Sequence, residues 1–187
     1  IYQSLIANDP RLYNEQLTLT LHGTLDSALF QQSVDLLVLN HSVLRSSYVH
    51  EGVTRSQAVI LRERGIGVQW IDLTGLDTDE QETRLLSIRD ELQCRPFDFV
   101  KEPLLWFTVC SVAPDESVVV LGFHHIILDG WSLSILLKEL LDTYSRLARG
   151  EEQVTINDDF SIYLNRLQEL PEAGARAFWQ EHLSGLP

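Results

Sequence analysis

Methionine is absent from the sequence, position 1 included. An intact translation product would begin with one, so this chain is expected to be a piece excised from a longer polypeptide, whose ends say nothing about targeting. Cysteine is nearly absent. Cys94 and Cys110 are far apart and form no CxxC pair. That usage argues for reduced, small, buried hydrophobes in a cytoplasmic protein and against a disulfide or a metal site. Basic residues are few: 14 Lys and Arg stand against 27 Asp and Glu, a formal charge of −13. Nucleic-acid phosphates and anionic membrane surfaces are recognised by clusters of cations, so neither is an expected partner, and the charge reads as a device for solubility. Long apolar runs are missing too. A membrane span needs ~20 apolar residues, and the longest run here, Val118 to Leu128, is broken by His124 and His125. No cationic, apolar leader opens the chain, so no signal peptide is expected.

What is present is ordinary globular composition. With 187 residues, 44% of them hydrophobic and 22% charged, the chain can form one domain or one large lobe with a real core. Glu15 to His22 alternates, with Leu17, Leu19 and Leu21 on one face, as a half-buried strand does. Gly23 ends it, and Asp26 is placed to cap a helix running to about Asn40. Leu44 to His50, which contains Arg45, reads as a strand. Gln57 to Leu61 and Val68 to Ile71 read as two more. Thr78 to Cys94 has the pattern of an amphipathic helix. Pro103 to Val112 and Val118 to Phe123 form a hairpin about Pro114-Asp115-Glu116. A helix follows Ser132, and two more follow the acidic connection from Gly150 to Asn157. The order β-α-β-β-β-α-β-β-α-α-α suggests an α/β sandwich with mixed strand directions.

The chemistry gathers in Gly122-Phe123-His124-His125-Ile126-Ile127-Leu128-Asp129-Gly130-Trp131-Ser132. Consecutive side chains of an extended chain point to opposite faces, so His124 and His125 cannot both line one cavity. Adjacent histidines also lack the spacing of a helical zinc pair, and no Cys or Glu nearby completes a ligand set; no metal is expected. A histidine of unperturbed pKa about 6.5 can take a proton from an amine, hydroxyl or thiol near neutral pH. Asp129 can orient that histidine if the intervening residues loop back. Alternatively it pairs with an arginine elsewhere and shapes the site without touching substrate. Gly130 permits close approach of another chain. Ser132 is a candidate cap for the following helix, whose free N–H groups would face the same region. The plainer alternative is a satisfied core pair of histidine and aspartate. His22, His41, His50 and His182 read as surface or strand-end residues, and Trp70 and Trp179 as core.

The segment from His124 to Ser132 resembles the HHxxxDG motif of the condensation domains of nonribosomal peptide synthetases. Further elements resemble that family: Asn40-His41-Ser42-Val43-Leu44-Arg45-Ser46 its RHExLRT element, Arg95-Pro96-Phe97-Asp98 with Pro103-Leu104-Leu105 its RPFDL…PLLR segment, Asp159 to Tyr163 its DFA-containing element, and Phe178-Trp179 to Pro187 the stretch before its second lobe. The resemblance covers nearly the whole chain. It implies a chloramphenicol-acetyltransferase-like fold, an α+β two-layer sandwich with a mixed sheet and flanking helices. Residues 1–187 would be the N-terminal lobe alone, with the C-terminal lobe absent, little activity of its own and about half of the tunnel wall. The implied reaction is peptide-bond formation: the amine of an aminoacyl thioester on the acceptor carrier protein attacks an acyl or peptidyl thioester on the donor carrier. Both are delivered on phosphopantetheine arms, with no cofactor bound by the lobe itself, and an adenylation domain is an expected neighbour. By the matched motif His125 is the catalytic histidine, as base or as positioning group, with His124 in support. Asp129 becomes a structural anchor through a salt bridge, to Arg45 or to an arginine of the other lobe. Gly130 keeps the tunnel open, and Trp131 and Ser132 are candidate tunnel residues.

This sequence departs from the family pattern at Asn40, Ser42 and Trp106, which stand where the resemblance expects Arg, Glu and Arg. Two further readings compete. One is an O-acyltransferase that shares the HHxxxDG motif and draws on coenzyme A thioesters. The other is a non-catalytic, condensation-like module that recruits partners. The Trp131-Ser132 order argues against the related epimerization domains, and the intact histidines argue against the cyclization domains.

Overall fold

A computed structural model describes residues 9, 11–152, 160–169 and 172–185. The end of the acidic connection from Gly150 to Asn157 and Asp159 of the DFA-like element lie outside the described residues. The chain divides into two compact units, residues 1–157 and 158–187.

The larger unit is built on a mixed sheet. Along the chain come β1 (Asn14–His22), α1 (Ser27–Asn40), a 3₁₀ turn (Ser42–Arg45), β2 (Ser46–Val49), β3 (Gln57–Ile60), β4 (Val68–Asp72), α2 (Thr78–Gln93), β5 (Leu105–Ala113), β6 (Glu116–His124) and α3 (Gly130–Ala148). The main sheet has the order β1-β6-β5-β4, and β2 and β3 form a separate two-stranded ribbon. β6 runs antiparallel to both β1 and β5, whereas β4 runs parallel to β5. A parallel pair needs a crossover, and α2 supplies it. Mixed strand directions and flanking helices, expected from the element order, are what the chain adopts.

Local chemistry explains the boundaries. Gly23 leaves β1 at φ 107°, open to glycine at no steric cost. The Asp26 carboxylate accepts the N–H groups of Ala28 and Leu29 at 2.9 and 3.0 Å and starts α1. Asp77 and Glu80 close a reciprocal capping box at the start of α2. The strand expected from Leu44 to His50 is shorter and later, because its first residues form the 3₁₀ turn. There Arg45 donates to the carbonyls of Val38, Leu39 and Leu61. The carbonyls at a helix C-terminus lack partners within the helix, and a guanidinium with several fixed donors draws this segment back onto them.

The alternation of β5 and β6 separates two apolar layers. Phe107, Val109, Val119, Leu121 and Phe123 pack with Phe30, Val34 and Leu37 of α1 and Leu136 and Leu140 of α3. On the other side Trp106, Cys110, Val118 and Val120 pack with Ile88 of α2. Helices therefore flank the sheet on both faces. Trp70 packs edge-on against Phe30 at 6.1 Å. Cys94 and Cys110 are unbridged. The second unit contains α4 (Phe160–Gln168) and α5 (Glu172–His182). In α5, Phe178 stacks on His182 and meets Trp179 edge-on. Trp179 is 54% exposed, contrary to the core role expected of it, beside the likewise exposed Phe178.

Two features of β6 carry consequences for stability. Gly122 lies under the Trp106 indole, opposite it in the ladder, and a Cβ on Gly122 would fall 1.8 Å from an indole carbon. The large side chain at 106 thus requires the missing one at 122. His124 is buried, 3% exposed. Phe99, Phe97 and Tyr13 surround its ring at 4.8, 5.8 and 6.1 Å between centroids. Its Nδ1 accepts the Ile126 N–H at 3.1 Å, which makes it neutral with the proton on Nε2. Burial pushes this imidazole down to about 4, with smaller electrostatic contributions that include His125.

Gly122→Ala is expected to destabilise the protein by about 2 kcal/mol or more through overpacking, and Trp106→Leu in the same chain to recover part of the loss, as read by urea unfolding. For His124, the unfolded chain binds the proton more readily than the folded one between pH ~6.5 and about 4. Its contribution is therefore fully present above pH ~6.5 and is lost as pH falls toward 4, by at most roughly 3 kcal/mol. His124→Asn, which keeps an acceptor for Ile126, should show a smaller drop in unfolding midpoint between pH 7 and 4.5 than the wild type does.

Candidate functional site

The site grows out of the end of β6. Asn14 stands opposite His124 as the last pair of the β1–β6 ladder. Beyond it, the His125 N–H donates to the Tyr13 carbonyl at 2.8 Å, and Ile127 N–H closes a turn on the His124 carbonyl at 3.1 Å. Ile127 and Leu128 then drop into the main core, 7% and 6% exposed. The Tyr48 hydroxyl donates to the Ile126 carbonyl at 3.4 Å. Pinned at these points, the turn leaves the His125 side chain exposed at the sheet's end while His124 is enclosed. The His125 imidazole makes no hydrogen bond to a described residue.

Asp129 does something other than hold that imidazole. It is the N-cap of α3, and its carboxylate accepts the Ser132 N–H at 2.8 Å. The Ser132 N–H, then the Ser132 hydroxyl, and more weakly Trp131 N–H and His125, draw its pKa below the usual carboxylate range. The expected cap, Ser132, is thus the receiver of the cap rather than its donor. The reason is geometric: an N-cap accepts from the residue two or three positions on, and Asp129 has extended backbone while Gly130 is already helical. The salt bridge expected between Asp129 and Arg45 is not formed. Arg45 is tied to three carbonyls at the end of α1 and the end of β3, and Asp129 forms no ion pair among the described residues.

Gly130 opens α3 outside the left-handed region, and a Cβ there would meet nothing within 4 Å. Neither backbone nor packing among the described residues asks for glycine at this position. Trp131 is 86% exposed at the same helix start, and Ser132 is half-buried. No group of three or more His, Cys, Asp or Glu residues that could hold a metal gathers among the described residues, and no described helix is long and apolar enough to cross a membrane. What the arrangement offers is one accessible imidazole, followed four residues on by a helix N-terminus whose amides are partly capped.

Two contributions went unseen in the sequence. Asn40 and His41 join α1 to α3: Asn40 Nδ2 donates to one Glu139 carboxylate oxygen at 2.9 Å, and His41 Nε2 meets the other at 2.6 Å. His41 is thus an inter-helix tether rather than a surface residue. An Asn-His pair ending one helix and a lone Glu two turns into another carry no joint signal until the helices pack. Tyr13 touches the site through its backbone, which no residue-type pattern can show.

With this geometry in view, the likeness to known proteins is specific. The chain is 28% identical to surfactin synthase subunit 2 of Bacillus subtilis (strain 168) over 186 residues, spanning 99% of this chain and 5% of that protein. It is 32% identical to tyrocidine synthase 3 of Brevibacillus parabrevis over 174 residues, 92% of this chain and 3% of that one. In three dimensions it superposes on the starter condensation domain of the rhizomide synthetase RzmA with a TM-score of 0.83 at 19% identity, covering 100% of this chain and 45% of that one. The last likeness bears on fold alone. The model of the condensation domain matches residues 2–187, and this chain therefore belongs to the condensation-domain family.

Proposed function

We propose that this chain is the N-terminal lobe of a condensation domain and that it takes part in peptide-bond formation during nonribosomal peptide synthesis, with His125 as its catalytic histidine. The observation that carries the reading is the division of the histidine pair: His124 is buried, and His125, in the catalytic position of the matched motif, is exposed past the end of β6. The span of 45% of the solved domain supports a one-lobe reading. A second lobe of the same domain closes the other side of the tunnel. Donor and acceptor carrier proteins present the two thioesters on phosphopantetheine arms, and an adenylation domain lies nearby in a cytoplasmic synthetase. The unbridged cysteines support that compartment.

In the proposed reaction the acceptor amine attacks the donor thioester carbonyl. A C–N bond forms, the C–S bond breaks, and the amine proton ends on the departing sulfur. His125 accepts that proton, or holds the amine by accepting its N–H in a hydrogen bond. Glycine at 130 leaves the space through which the amine approaches, and Trp131 and Ser132 line its mouth. Asp129 acts through α3, not on substrate: its cap fixes the helix start that forms one wall. Because one lobe supplies only part of the site, its activity is measured in the complete parent protein.

His125→Ala is expected to lower product formation from both loaded carriers by about 10²-fold or more, with the unfolding midpoint unchanged. Wild-type yield would point to a recruiting module, and product only from a coenzyme A thioester and an alcohol would point to an O-acyltransferase. Asp129→Ala should destabilise the protein by about 1 kcal/mol and slow the reaction, whereas Asp129→Asn, an equally good cap, should keep most of both. Loss of rate in Asp129→Asn at full stability would mean that the carboxylate charge itself is needed.

A further inference from the structure

Asn14 opens β1, an edge strand of the main sheet, and is buried, 9% exposed. A buried carboxamide needs hydrogen-bond partners, and Asn14 finds them at the end of α2. Its Nδ2 donates to the Arg95 carbonyl, two residues past the helix, at 2.9 Å. Its main-chain carbonyl accepts from Nε2 of Gln93, the last residue of α2, at 2.7 Å. The Asn14 N–H closes a turn on the Arg11 carbonyl at 3.1 Å. Side chain, N–H and carbonyl are all engaged, none of them with β6.

The ladder sets these directions. Asn14 stands opposite His124, and along an antiparallel ladder successive residues turn their N–H and carbonyl groups alternately toward the partner strand and away from it. The Tyr13 carbonyl faces β6 and receives the His125 N–H at 2.8 Å, while the Asn14 N–H and carbonyl face away, to Arg11 and Gln93. The Tyr13 carbonyl and the Asn14 N–H belong to one peptide group. That group grips His125 on one side and is gripped on the other, beside a residue bonded twice to the end of α2. Directly opposite residues share a face of the sheet, so the Asn14 side chain lies on the face of His124, not on that of His125. We propose that Asn14 is a positioning residue: it ties the peptide that grips the His125 N–H to the end of α2, and so fixes the backbone from which the imidazole projects. This rests on the reading of His125 as catalytic. Asn14 itself touches no substrate. A displacement of about 1 Å at a reacting group can cost up to ~10²-fold in rate, and a loosened peptide at His125 permits part of that displacement.

The test compares Asn14→Ala and Gln93→Ala with Gln16→Ala in the complete parent protein, beside His125→Ala. Gln16 is the control: its Nε2 also ties β1 to α2, through the Arg89 carbonyl at 3.1 Å, but two residues away from the peptide that holds His125. Asn14→Ala is expected to lower kcat about tenfold with KM little changed, Gln93→Ala about threefold, and Gln16→Ala less than twofold. The second readout is hydrogen exchange at the His125 amide, about tenfold faster in Asn14→Ala and unchanged in Gln16→Ala. The third is the double variant: on a His125→Ala background, Asn14→Ala should change the residual kcat less than twofold, since residues that act as a unit do not add. Where Asn14→Ala does not fold, Gln93→Ala carries all three measurements. Equal losses in Asn14→Ala and Gln16→Ala, or a full further loss on the His125→Ala background, would overturn the proposal in favour of a purely structural role. Unchanged kcat and exchange in Asn14→Ala, with His125→Ala inactive, would overturn it alone. An active His125→Ala would instead remove the functional reading, and the exchange measurement would still decide whether Asn14 secures the His125 peptide.

Discussion

Two neighbouring side chains on a strand cannot face the same way, and most of the site follows from where β6 stops obeying that rule. His124 is its last residue, enclosed by Phe97, Phe99 and Tyr13 and held neutral by burial. His125 is the first residue past the end, turned outward, its peptide fastened to Tyr13. The apolar residues that follow, Ile127 and Leu128, are buried in the main core. They tie the turn to the core. An accessible imidazole is thereby carried on a short segment whose backbone is anchored on both sides.

Asp129 shows how one residue type serves different ends in one stretch. In a sequence it stands four residues from His125 and invites pairing with it or with an arginine. In the fold its carboxylate satisfies amides at the start of α3 that would otherwise lack partners. Arg45 meanwhile serves the other kind of helix end, filling carbonyls that close α1. Both charged groups complete helix termini, which explains why they do not meet. The tether from Asn40 and His41 to Glu139 then joins those same two helices, so α3 is held at its cap and again two turns along.

The departures at 40 and 106 also find local reasons. Asn40 reaches Glu139 with an amide, and Trp106 lies over a glycine that leaves room for its ring. Neither residue is a lone exception; each has a partner that fits it. Ser42 has no comparable account.

Much of this was legible from residue order. Alternation in β1, the apolar runs of β5 and β6, the Asp26 cap and the amphipathic α3 depend on neighbours within a few positions, and short-range chemistry is written in sequence. So is the rule that only one histidine of the pair can face a given side. Tertiary structure decided the rest, because the deciding contacts span long separations. It made His124 the enclosed partner, set the Asp129 carboxylate on the start of α3 and not on Arg45, shortened the strand at Arg45 and brought Tyr13 to His125 across more than a hundred residues. A main-chain carbonyl carries no residue type, and a guanidinium finds whichever acceptors packing brings near. Such choices are made by the fold, and no local pattern can anticipate them.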